Sequence, residues 1–386
     1  MLPPPSSRIW RSGIPRTTAP TEPAATELVI DLGALASNWQ MLRDRAGGAT
    51  CAGMVKANAY GLGVRRVAPA LWQAGCRNFF TANMDGAVML RTLVPQARVH
   101  VLNGLLEGGE EDMATHGVIP VLNDLGQIER WSAWARRSGR ELPAAIHIDT
   151  GMNRLGLPPY EVEALAARPE LLQGLDIAHV MSHLACADEA DHPMNRRQLD
   201  LFNRLRAMLP ALPASLANSS GIFLGRDYHF DMVRPGYAVY GGNPTPEAAN
   251  PMAPVVTLRA RIIQVREVGA GESVGYGGHF TAQRPTRVAT IPVGYADGYL
   301  RSLSGQGSAR IGEIEIPVIG RVSMDLVTLD ISAVPDDKAV VGTWVELIWG
   351  SKMLDELARR AGTIGYELLT ALGGRYPRVY RSGENA

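Results

Sequence analysis

The chain has 386 residues, 46% of them hydrophobic, and 38 basic side chains balance 38 acidic ones. That length supports one large core and a smaller second one. A net charge of zero offers no field for holding nucleic acid or an anionic membrane, which leaves a small-molecule enzyme or a protein-binding module.

The first 26 residues are rich in Pro, Ser, Thr and Arg and lack an apolar signal core, which predicts a disordered N-terminal tail. Arg8, Arg11 and Arg16 give a trace of transit-peptide character; without targeting, the expected location is the cytoplasm. Cys51, Cys76 and Cys186 are odd in number and lack zinc spacing, so they read as reduced thiols. No apolar run approaches the roughly 18 residues of a membrane span.

A short apolar strand, LVIDL (28–32), follows the tail. Strand-like runs then alternate with polar loops and helical stretches. Strands are expected at 51–57, 78–83, 98–103, 118–123, 144–149, 177–183, 214–219 and 230–236. Helical spacing is plain at 63–75 and 195–209, and the stretch before the fourth strand is too short to read as a helix. Eight strands alternating with helices over about 210 residues match a (β/α)8 barrel of the TIM type, with a doubly wound open sheet as the alternative. Near residue 255 the rhythm changes to strands with short Gly/Pro turns, at 255–268, 287–294, 308–320, 326–332 and 344–350, and helical spacing returns at 353–362. The expected division is a tail over 1–26, a barrel over 27–250 and a mainly β C-terminal domain over 251–386, with the strand at 28–32 free to pack with the latter.

Barrel enzymes carry their reacting groups at the carboxyl ends of the strands. Lys56 ends the first strand, Arg154 follows the fifth, His183 ends the sixth, Asn218 and Ser219 end the seventh, and Arg234 ends the eighth. Taken singly, a lysine there is ordinarily a snorkelling charge and a histidine a satisfied core residue. Taken together they mark one mouth. A Schiff-base lysine needs partial burial to lower its pKa, and the ANAYGLG that follows Lys56 suits a tight loop close to a ligand. ANSSG (217–221) and RPGYAVYGG (234–242) offer hydroxyls and backbone N–H groups where barrels often hold phosphate, although both also read as ordinary turns. In the β domain, VGYGGHF (274–280) sets Tyr276 among three glycines. HExxH, GxSxG, Walker and paired-cysteine patterns are missing, so no metal is expected.

The motifs VKANAYGLG (55–63), HIDTGMNRLG (147–156), SHLACAD (182–188), ANSSG, VRPGYAVYG (233–241), VGYADGY (293–299), GRVSMD (320–325) and TIGYELLT (363–370) fall in one order. In that order the chain resembles the bacterial alanine racemases from about residue 27 to 381. The resemblance implies pyridoxal 5'-phosphate held by Lys56, interconversion of L- and D-alanine by two-base proton transfer, and a head-to-tail homodimer. Lys56 would act on one face of the substrate α-carbon, and Tyr276 of the other subunit on the opposite face. The resemblance places His183 near that tyrosine and linked to Arg234, and Arg234 at the pyridine nitrogen. It puts Tyr60, Asn218, Ser219, Gly236, Tyr237 and Tyr366 around the phosphate. Arg154 would lie beside the cofactor's phenolic oxygen and, with the Met324 amide, meet the substrate carboxylate, and Tyr295 would line the approach.

Two positions depart from the family. His147 stands where many members carry a carbamylated lysine that orients the arginine corresponding to Arg154. Tyr237 replaces an aliphatic residue whose backbone alone is expected to touch phosphate. The product would supply peptidoglycan or the reaction would serve alanine breakdown. Competing readings are a broad-specificity or serine racemase of the same architecture, a fold-related decarboxylase whose later signatures are missing, and a non-catalytic cofactor-binding protein, against which the C-terminal domain argues.

Overall fold

The structure is a computed structural model that describes residues 24–382. Eight parallel strands close into a barrel. The first is interrupted at Ala52: its half Thr50–Cys51 pairs with the last strand, Met232–Val233, and its half Gly53–Met54 pairs with Asn78–Thr81. Because the first strand bonds the last, the sheet has no edge, and the doubly wound alternative is excluded. Arg98–Val101, Ile119–Leu122, Leu142–His147, Leu175–Met181 and Ala214–Ser215 complete the ring. These runs are apolar on both faces, since helices cover the outside and side chains fill the inside; Phe79, Phe80, Val121 and Ile146 are fully buried.

The expected barrel strands are all present; most are shorter, and those expected at 144–149 and 177–183 keep their length but lie two residues earlier, at Leu142–His147 and Leu175–Met181. The seventh and eighth are two residues each, so Asn218, Ser219 and Arg234 lie just past the strand ends. Two of the helices open on side-chain caps: Asn83 Oδ1 accepts from Gly86 N (3.2 Å) and Asp124 Oδ1 from Gln127 N (2.8 Å). A short helix, Glu110–Thr115, precedes the fourth strand, where its acidic first turn suits the helix dipole.

A second sheet of nine strands forms the C-terminal part, in the order 264–268, 286–291, 327–330, 314–319, 308–311, 344–348, 256–261, 26–31, 378–381. The run expected as one strand over 255–268 is two, Val256–Arg261 and Gln264–Val268, which pair with different partners. The strand Thr26–Asp31 joins this sheet, antiparallel to Val256–Arg261 and parallel to Arg378–Arg381. Asp31 then caps the helix Leu32–Arg45, accepting from Ala34 N at 2.8 Å. The tail expected over 1–26 falls outside the described residues except for its last three, and Thr26 already belongs to a strand.

The β domain docks over the barrel mouth. Arg378 donates to Gly61 O (2.9 Å), the Tyr380 hydroxyl donates to Leu62 O (2.9 Å), and the helices Gly350–Arg360 and Gly365–Ala371 face the loops after the first and eighth strands. No helix among the described residues is long and apolar enough to cross a membrane.

Candidate active site

Lys56 leaves the first strand directly into a left-handed turn. Ala57, Asn58, Ala59 and Tyr60 all have φ between 52° and 55°, a conformation that costs a non-glycine residue about 1–2 kcal/mol. The tight loop expected here is present, with Gly61 and Gly63 at φ of 83° and 96°, and the structure adds four residues with side chains to its left-handed run. Strain of this kind collects where a fold must aim a functional group. The turn is held by Asn58 Oδ1, which accepts from Val64 N (2.9 Å), and by Tyr60, whose ring stacks on Tyr240 at 4.6 Å.

Lys56 is half-buried. Burial lowers the pKa of its amine, and the nearby charge of Arg154 lowers it further. Arg154 sits in the exposed loop after the fifth strand. Asp149 shapes that loop by accepting from Gly151 N (2.9 Å) and Asn153 N (3.1 Å).

Beneath Lys56, Arg234 turns into the barrel and is only 2% exposed. Its donors go to neutral acceptors: Ser215 Oγ, Ser182 O (2.5 Å), Leu216 O (3.4 Å) and His183 Nδ1 (3.4 Å). Burial pulls its pKa down to about 9, which leaves it charged at neutral pH. Arginine has no acceptor, so His183 Nδ1 accepts and the ring proton sits on Nε2. Burial holds the His183 pKa well below the usual range, and Arg234, Arg154 and Lys56 reinforce that; the ring is a neutral donor.

The tautomer of His147 is likewise set by its partner. Asn123 Nδ2 donates to Val121 O (2.8 Å) and Leu102 O (3.1 Å), so its Oδ1 faces His147 Nδ1 at 2.7 Å. An amide oxygen only accepts, so Nδ1 carries the proton and Nε2 presents a lone pair. Burial brings His147 down to about 4, with Arg234 adding to the effect. Asn123 was missed in the sequence. The signal was there: a polar residue ending a buried strand, the same criterion that selects Lys56.

The loops after strands seven and eight form a cradle. Ser219 Oγ accepts from both Gly236 N (2.9 Å) and Ala238 N (3.2 Å), so two backbone amides converge on one point. Asn218 Oδ1 accepts from Gly221 N (2.9 Å) and shapes the turn. A Cβ on Gly236 would fall 2.2 Å from the Tyr60 hydroxyl, so only glycine lets this backbone approach. Tyr366 closes the side, its ring stacked on Tyr237 at 4.1 Å, and burial lifts its pKa to about 12. Tyr237 contributes more than the expected backbone: its hydroxyl donates to Asp355 Oδ1 at 2.7 Å. An amine with a loosened proton, beside converging amides and a buried cation, fits an aldehyde cofactor bearing a phosphate.

Tyr276, Tyr295 and Met324 stand apart. Tyr276 is 73% exposed and Met324 55%. Tyr276 lines a cleft of about 620 Å3 with Arg266, Arg321, Ser323 and Leu326, all in the β domain. Tyr295 N and Ala296 N donate to Ser323 O (3.1 Å) and Met324 O (3.0 Å), which locks Tyr295 and Met324 into one loop pair. Among the described residues, no hydrogen bond or ring contact joins Tyr276 to the mouth of its own barrel.

Comparison with known proteins gives a consistent result. Residues 30–244 match the family described as "Alanine racemase, N-terminal domain" and residues 255–380 match "Alanine racemase, C-terminal domain". An alanine racemase of Rhodospirillum rubrum is 51% identical over 92% of this chain and 96% of its own. A catabolic alanine racemase of Agrobacterium fabrum is 52% identical over 92% of each. The crystal structure of alanine racemase from Bartonella henselae with covalently bound pyridoxal phosphate superposes with a TM-score of 0.89, at 40% identity, over 93% of this chain and 100% of that one.

Proposed function

Because the chain belongs to the alanine racemases and interconverts L- and D-alanine with pyridoxal 5'-phosphate, we propose that Lys56 and Tyr276 are its two proton-transfer groups and that they come from different copies of the chain. The observation that carries the pairing is the isolation of Tyr276, an exposed tyrosine among glycines with no link to its own barrel mouth. Inverting a stereocentre requires removal of a proton on one face and delivery on the other, so two groups must flank the α-carbon. A head-to-tail homodimer sets the partner's tyrosine opposite Lys56.

The remaining residues divide the labour. Lys56 is the amine that holds the cofactor, and its lowered pKa leaves it ready to take a proton from one face of the α-carbon. When bound, the cofactor supplies delocalisation of the negative charge at that carbon. Arg234 would meet the pyridine nitrogen; it keeps its own proton, so it would limit protonation of that nitrogen and suppress side reactions such as transamination. His183, neutral with its proton on Nε2, donates toward the incoming tyrosine oxygen and eases its ionisation. Tyr60, Asn218, Ser219, Gly236, Tyr237 and Tyr366 enclose the phosphate. Arg154 and the Met324 amide hold the substrate carboxylate, and Tyr295 lines the approach. Such an enzyme supplies D-alanine for the cell wall or feeds alanine breakdown, in the cytoplasm.

Complementation tests the cross-subunit site. Lys56→Ala and Tyr276→Phe chains are each expected to be inactive. Mixed and allowed to exchange, they are expected to recover about one quarter of wild-type activity, because half the dimers are hybrids and each hybrid holds one intact site of two. No recovery despite demonstrated exchange would place both groups in one chain and sink the proposal.

A further inference from the structure

We propose that Tyr237 is a positioning residue that ties cofactor retention to docking of the C-terminal domain, by clasping the phosphate cradle to Asp355. The inference rests on reading Ser219, Gly236 and Ala238 as that cradle. Tyr237 lies between the two residues whose amides converge on Ser219 Oγ, so whatever fixes Tyr237 fixes the direction of both N–H groups.

Tyr237 is fixed on every side. Its hydroxyl donates to Asp355 Oδ1 at 2.7 Å, and the other carboxylate oxygen accepts from Asn243 N at 3.1 Å. Asp355 therefore grips the first residue of the short turn Tyr237–Tyr240 and Asn243 beyond its exit, from the helix Gly350–Arg360 of the other domain. The ring stacks on Tyr366 at 4.1 Å and 15°, from the second helix, Gly365–Ala371. Two glycines make room: a Cβ on Gly365 would lie 1.6 Å from the Tyr237 hydroxyl, and one on Gly242 would lie 2.0 Å from its ring. The ring is buried, so its hydroxyl needs this acceptor. Tyr237 does not reach the phosphate with its side chain; it aims the amides and seats Tyr366, both of which meet the phosphate end.

The clasp predicts a selective loss. Apo full-length chains are titrated with pyridoxal 5'-phosphate and, separately, with pyridoxal, which lacks the phosphate. Tyr237→Phe, which keeps the ring and removes the hydroxyl, is expected to raise the Kd for the phosphorylated form about tenfold, the effect of one hydrogen bond to a charged group, and to leave the pyridoxal Kd unchanged. Asp355→Ala is expected to reproduce this from the other domain, and serves alone if Tyr237→Phe fails to fold. The double variant is expected to be no worse than the weaker single one. An unchanged Kd for pyridoxal phosphate in the single variants, or equal weakening of both ligands, would overturn the clasp. If the wild-type chain bound both ligands equally, the reading of the cradle itself would fall instead.

Discussion

Arg154 has a second consequence beyond any carboxylate it holds: it helps lower the pKa of Lys56. Removing that charge with Arg154→Gln is expected to raise the Lys56 pKa, so the acid limb of the kcat profile moves to higher pH. A limb that stays in place or moves down would show that burial alone sets the amine. His147 makes a complementary prediction. With Nδ1 tied to Asn123 and the pKa at about 4, its ring is expected to stay neutral through pH 5, read as unshifted imidazole carbon resonances in a labelled sample. It would then meet Arg154 as an uncharged acceptor, in place of the anion used by many relatives. Lys56 was legible because a charge ending an apolar strand is conspicuous. The tautomers were not, because each is dictated by a partner tens of residues away: Asn123 for His147 and Arg234 for His183.

At the level of elements, the left-handed turn after the first strand stores strain that glycine would relieve. Ala57 is exposed with φ of 52°, so Ala57→Gly is expected to stabilise the chain by about 1 kcal/mol in urea denaturation and to lower kcat by loosening Lys56. Gly61→Ala is expected to do the reverse and cost more than about 2 kcal/mol, since its Cβ would lie 2.5 Å from Leu369 O at a φ of 83°. A stable Gly61→Ala chain would contradict the close docking of the helix Gly365–Ala371. The barrel strands were readable from sequence because parallel strands buried on both faces are continuous apolar runs. The tight loop after Lys56 was readable but its left-handed run was not, because two alanines and a tyrosine carry no preference for positive φ. The break at Ile262–Ile263 is not legible in the sequence, because an apolar run does not declare that its two halves will bond different strands.

For the molecule as a whole, its buried imidazoles set an acid limit. Burial lowers the pKa of His100, His147, His179 and His183, that of His147 to about 4 and that of His179 to about 3. Between the ordinary value of 6.5 and these folded values, the unfolded chain binds protons that the native chain refuses. Stability is therefore full above pH 6.5 and falls as the pH drops toward 4, with His147 alone accounting for roughly 3 kcal/mol. Tm is expected to fall steadily across that interval. A flat Tm between pH 6.5 and 4.5 would mean that these rings are hydrated or paired in solution.

The strand Thr26–Asp31 lies between Val256–Arg261 and Arg378–Arg381, so an early and a late stretch of the chain are neighbours. A ribosome releases the barrel sequence long before it releases the residues that complete this sheet. During translation the barrel can already close while its opening strand waits with an unfilled edge on either side. A prematurely terminated chain would therefore forfeit the β domain rather than the barrel, leaving a lysine-bearing mouth with nothing to cover it.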